Sequence, residues 1–220
     1  HSSNRRQRQM CIRDSPYISK LPKNKSFLRI LDAGTGDGTI NSNLIKGFHR
    51  YHPYSSLLMT GKEVSFEDLK NTIEKMPDRF VEHPNLLVTM TNVKFSEIHN
   101  VENLKRINSK KIKSFELVLK SNNSFDFNKQ ITGASIGNFI KRNWGIEINK
   151  LGKTSYANPC IIKIYREDHK KYLMPFINLK YDNNKYDLIV ASQAYRAVSS
   201  VKMKVNNVIK PLMNLLNENG

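Results

Sequence analysis

The chain has 220 residues, 36 Lys and Arg against 19 Asp and Glu for a formal charge of +17, and 39% hydrophobic residues. That is enough apolar material for one sizeable packed domain and excludes a wholly disordered chain. No apolar run approaches the ~18 residues of a membrane-spanning helix and no apolar signal segment opens the chain, so a cytoplasmic protein with no membrane partner is expected.

Lys and Asn occur 25 times each and Arg 11 times, the balance that AT-rich coding produces. The charge therefore reads first as solvated faces, with nucleic acid the less favoured partner. Cys11 and Cys160 stand apart, without Cys-x-x-Cys or Cys/His spacing, so neither a disulfide framework nor a metal site is expected.

Residues 1–15 (HSSNRRQRQMCIRDS) carry four arginines and no helix or strand periodicity. RRQRQMCIRDS resembles a translated sequencing-adapter peptide, and the segment is set apart from the domain expected over 16–220. Residues 27–31 form a short buried-strand pattern that runs into AGTGDGT. From Gly38 to about Phe48, Ile40, Leu44, Ile45 and Phe48 share one helix face. A second strand is expected at 56–60. Ser65 and Asp68 then make a capping pattern for a helix carrying Leu69, Ile73 and Met76, stopped by Pro77.

A third strand is expected at 86–90. The interval from about Asn92 to Lys185 is too long for a single crossover, so an α+β insert (93–185) is expected between the third and fourth strands. It reads as a strand at 115–119, one helix from about Phe125 to Arg142, and a hairpin pairing 160–165 with 172–176. Gly133 and Gly137 lie four apart on that helix, a spacing for close packing. YDLIVA (186–191) reads as a central parallel strand buried on both faces. Residues 198–217 read as an amphipathic helix with Pro211 kinking it or starting a last turn. Asn219-Gly220 is a C-cap that normally leads into another strand, so a C-terminally truncated fold is expected. The alternation argues for an α/β fold, a doubly wound, mostly parallel sheet.

The chemistry is concentrated in LRILDAGTGDGT (28–39): a strand ends on an acid, then enters a glycine turn that opens a helix. Glycines permit positive φ and close approach of a ligand to the backbone. Dinucleotide and nucleotide sites use such turns too. One βα unit later, Glu63 ends the second strand, where a carboxylate can accept hydrogen bonds from a ribose diol or simply sit well at a helix start.

The order strand, Asp32, small residue, Gly34-x-Gly36-x-Gly38 closely resembles motif I of class I S-adenosylmethionine-dependent methyltransferases. YDLIVASQAYRA, with LVTMTNVKFSE and IIKIYRED, resembles a bacterial group of methyltransferase-like proteins. The likeness spans about Phe27 to Gly220, and only the first motif is highly specific. It implies a Rossmann-like sheet with S-adenosyl-L-methionine as cofactor. Asp32, Gly34, Thr35, Gly36 and Gly38 would surround the methionine end, Glu63 the ribose, Asn92 the adenine, and Ser192 the methyl group. Gln193, Tyr195 and Arg196 would face an unidentified methyl acceptor, with Tyr195 the catalytic candidate by position. Ser192-Gln193-Ala194-Tyr195 is similar to the acceptor loop of amino-group methyltransferases but lacks both prolines. The rival expectation is a non-catalytic, methyltransferase-like protein that binds cofactor or nucleic acid. His83, His99 and His169 lack ligand spacing, and Trp144 and Tyr165 are expected in the core.

Overall fold

The computed structural model describes residues 17–92, 112–148, 152, 154–156, 158–177, 185–191 and 200–217. Its strands are β1 (Phe27–Asp32), β2 (Ser56–Lys62), β3 (Leu86–Thr91), β4 (Lys113–Leu119), β5 (Ile146–Ile148), β6 (Thr154–Tyr156), β7 (Cys160–Arg166) and β8 (Leu188–Val190). Six of them form one sheet in the order β4-β7-β3-β2-β1-β8, while β5 and β6 pair as a separate antiparallel ribbon. Every neighbouring pair in the large sheet is parallel except β3 with β7. The fold is α/β with a mostly parallel mixed sheet, and the order β3-β2-β1 followed by β8 is compatible with a Rossmann-like arrangement.

The strands read as they do because both faces are covered. β2 is buried at all seven residues, as an interior parallel strand requires. On one face Leu28, Ile30, Leu57, Met59 and Val88 meet five helices: α1 (Thr39–Tyr51), α2 (Phe66–Glu74), α3 (Pro77–Glu82), α4 (Ser124–Ile131) and α5 (Gly133–Trp144). Their contributions include Leu44, Phe48, Ile73, Phe80, Phe127 and Trp144. Each such side chain, fully buried, stabilises by roughly 1.5–3 kcal/mol. Alternation along the strands sends Leu31 and Leu58 to the opposite face. There Leu58 and Leu87 pack with Leu173 and Ile177 of α6 (Lys170–Ile177). Leu31 and Ala33 pack with Val208 and Leu212, which belong to a run of α7 (Val201–Lys204), a π-helical stretch (Val205–Ile209) and α8 (Lys210–Met213).

Several expectations are corrected. The single helix in the insert is two, because Thr132 turns extended (φ −125°, ψ 165°) to end α4 and Gly133 takes a left-handed φ of 65° to start α5. Its Cβ position is open space, so Gly133 serves the break and not close packing. Residues 172–176 are not a hairpin strand but part of α6: Leu173 and Ile177, four apart, are its buried pair, and that helical period wins over strand alternation. The insert strands β4 and β7 instead extend the main sheet beyond β3. β8 is half-buried at all three residues. It ends the sheet among the described residues, with only the parallel bridge Tyr186–Leu216 beside it. The last helix ends at Met213, and its π-helical stretch lies just before Pro211, which has no N–H to give the regular helical bond. Pro77 starts α3 at its first turn as well as following α2. Among the described residues no helix is long and apolar enough to cross a membrane.

Candidate functional site

In the sheet register Asp32 lies opposite Gly61 on one side and Val190 on the other. The chain therefore leaves β1, β2 and β8 at one carboxyl edge, the edge where open parallel sheets bind ligands. Asp32 is fully buried, and its Oδ1 accepts the Gly34 amide at 3.2 Å. Gly36 and Gly38 then take φ of 54° and 77°, the left-handed region that disfavours a side chain. At Gly38 space forbids one as well, since a Cβ would lie 2.5 Å from the Thr72 Cα on α2.

The turn is stitched to its neighbours residue by residue. Thr35 donates both its amide and its hydroxyl to the Lys62 carbonyl, each at 3.0 Å. Gly36 donates its amide to Glu63 Oε2 at 2.8 Å, and its carbonyl accepts the Thr72 hydroxyl at 3.0 Å. Asp37 Oδ1 accepts the Thr39 amide at 3.1 Å, while Asp37 Oδ2 meets the Lys75 ammonium at 2.6 Å. Burial works against the Asp37 charge, but the bonds from Lys75 and Thr39 outweigh it and hold the carboxyl below its usual range.

Glu63 follows β2, and its amide continues the ladder to the Thr91 carbonyl at 3.0 Å. Its side chain folds back over the start of α2, where Oε1 accepts the amides of Val64 at 2.7 Å and Ser65 at 2.8 Å. Ser65 caps α2 through the Asp68 amide at 3.3 Å, as its spacing implied. The Glu63 carboxylate is thus oriented by three backbone amides, two from the segment that leads into α2 and one from the glycine turn.

A consequence is that the turn has few free donors. The amides of Ala33, Gly34, Thr35, Gly36, Gly38 and Thr39 are taken by Val190 O, Asp32, Lys62 O, Glu63, Thr35 O and Asp37 respectively. A phosphate cradle needs such amides pointing at the ligand.

Asn92 stands at the carboxyl end of β3, nearly buried. Its Oδ1 accepts the Cys160 amide at 2.8 Å and its Nδ2 donates to the Asn158 carbonyl at 3.0 Å, which ties β3 to the entry of β7. Ser192, Gln193, Tyr195 and Arg196 lie outside the described residues, as does His99. His83 is buried with its Nδ1 3.3 Å from that of His49, and His169 meets Asn85. Among the described residues no three His, Cys, Asp or Glu side chains gather around a possible metal position. Trp144 and Tyr165 are fully buried, as expected. Thr72 and Lys75 escaped the sequence reading. The available signal was a threonine set within the buried stripe Leu69, Ile73 and Met76.

No family model matches the chain, and no curated protein matches it.

Proposed function

We propose that the chain is a methyltransferase that binds S-adenosylmethionine at the glycine turn and passes its methyl group to an acceptor. The observation that carries this reading is the pairing of Glu63 with a glycine turn whose amides are already bonded within the protein. A dinucleotide would bring phosphates to amides bonded to Asp32, Asp37 and Glu63, where like charge repels them. A nucleoside without phosphates meets no such obstacle. Among the described residues Glu63 Oε2 holds a single donor and keeps a lone pair for a ribose hydroxyl. Asp32, buried under the turn, adds negative potential that suits the α-ammonium of the amino-acid end.

When bound, S-adenosylmethionine supplies a methyl group on a good sulfonium leaving group, open to in-line displacement. The protein's work is then alignment more than acid or base strength. Asp32 and the Gly34–Gly38 turn would hold the methionine end and Glu63 the sugar, and Asn92 would form part of the wall beside the base. Ser192 would stand by the methyl group, with Gln193, Tyr195 and Arg196 toward the acceptor and Tyr195, by its motif position, the nearest candidate for a catalytic role. The insert would cover the acceptor and exclude water.

Calorimetric titration with S-adenosylmethionine tests the reading. Glu63→Gln keeps the size of the side chain but loses its charge-assisted bonds, so affinity should fall about 10- to 100-fold. A folded wild-type chain that does not bind, or a Glu63→Gln variant that binds equally well, contradicts it.

A further inference from the structure

We propose that Thr72 is a positioning residue for the nucleoside, acting through Gly36; the inference rests on the reading of the site just given. Gly36 holds a left-handed φ of 54° and, without a Cβ, has little intrinsic preference to keep it. Two bonds fix it from opposite sides. Its amide reaches Glu63 Oε2 at 2.8 Å, and its carbonyl receives the Thr72 hydroxyl at 3.0 Å. Rotation of the Gly36 backbone would aim the amide away from Glu63 and release the carboxylate that the sugar must meet.

The placement of Thr72 is not that of a filler. The side chain is fully buried on the apolar stripe of α2 beside Leu69 and Ile73, where an unbonded hydroxyl would destabilise the fold. A helical threonine commonly turns its hydroxyl onto the preceding turn of its own helix; this one bonds the glycine loop 36 residues away. The same helix begins against Glu63 Oε1 through Val64 and Ser65. α2 is therefore a strut that fixes both the acid and the turn. A second contact, the Lys75–Asp37 ion pair from the residue that caps the end of α2, is well exposed, at 39% and 54%, and solvent screening makes it the lesser restraint.

The test uses the full chain with Thr72→Val, Thr72→Ser and Lys75→Met, and reads two quantities: affinity for S-adenosylhomocysteine by calorimetry, and hydrogen exchange of the Gly36 amide by NMR. Loss of one net hydrogen bond predicts that Thr72→Val binds about fivefold more weakly and exchanges Gly36 about fivefold faster. Thr72→Ser should restore both, and Lys75→Met should weaken binding and speed exchange by less than Thr72→Val does. If the valine variant does not fold, Thr72→Ala carries the same comparison. Wild-type affinity and wild-type Gly36 exchange in a folded hydroxyl-free variant overturn the role of Thr72. A wild-type chain that ignores the nucleoside while Thr72→Val still speeds Gly36 exchange overturns the ligand reading and leaves the restraint on the turn standing.

Discussion

The carboxylate of Asp187 accepts the backbone amide of Arg29 at 2.9 Å, and the Asp187 amide returns a bond to the Arg29 carbonyl at 2.9 Å. The same buried carboxylate takes the Lys25 ammonium at 2.6 Å and the Asn217 amide group at 2.7 Å. One side chain thus joins the approach to β8, the start of β1 and the segment after α8, at the edge of the sheet away from the glycine turn. Asp187→Ala leaves those donors unpaired, a loss of about 2–4 kcal/mol. The melting temperature should drop by about 4–15 °C. A thermal scan showing a shift below about 2 °C would contradict this assignment.

Acid should unfold the protein partly through His83. Burial, with His49 second, lowers its imidazole to about 4. The folded chain therefore favours the neutral ring, and the unfolded chain, with an ordinary value near 6.5, binds the proton more readily. The stabilisation is full above about pH 6.5 and is lost as pH falls toward 4, for a total of roughly 3 kcal/mol. His83→Phe, which keeps a ring against Phe48 (centroids 5.2 Å apart), should reduce the stability lost between pH 7 and 4.5 in urea titrations. An identical loss in variant and wild type would remove His83 from the account.

Gly38 and Gly133 separate two costs of adding a methyl group. Both have positive φ, but Cβ at Gly38 would strike Thr72 backbone at 2.5 Å, while at Gly133 it meets nothing within 4 Å. Gly133→Ala should cost only the left-handed conformation, about 1–2 kcal/mol. Gly38→Ala adds overpacking against a helix that cannot yield, for a total of about 2–5 kcal/mol. Equal losses in chemical denaturation would mean that the turn does not pack against α2 as described.

These contrasts also mark what the sequence reveals. The β1 strand, the glycine turn and α1 are legible because periodicity and turn chemistry are local, and Asp32 at the end of β1 and Glu63 just after β2 are legible because they close apolar runs. The antiparallel entry of β7 beside β3 is not, since nothing in CIIKIYR states which neighbour it will pair with. α6 is misread because its buried pair, Leu173 and Ile177, shows helical spacing only when the segment is followed to its last residue. Thr72 is invisible as a site residue because its partner, Gly36, is distant in sequence and the contact exists only once α2 packs on the turn.

Cys160 should be inert in the folded chain. Burial pushes its thiol up to about 12, outweighing the Trp144 hydrogen bond and the Lys113 charge, so almost no reactive thiolate exists at pH 8. In a Cys11→Ser chain a chromogenic disulfide reagent should report no thiol until denaturant is added. Rapid stoichiometric labelling of the native chain would contradict the burial of this residue.

On the proposed reading, the bonded glycine turn and Glu63 accept a nucleoside that carries no phosphate. Parallel calorimetric titrations of the full chain with S-adenosylhomocysteine and with NAD test it most directly. Measurable binding of the thioether nucleoside, with no heat from the dinucleotide, is the predicted result. Tighter binding of NAD, or silence with both ligands from a folded chain, would contradict it.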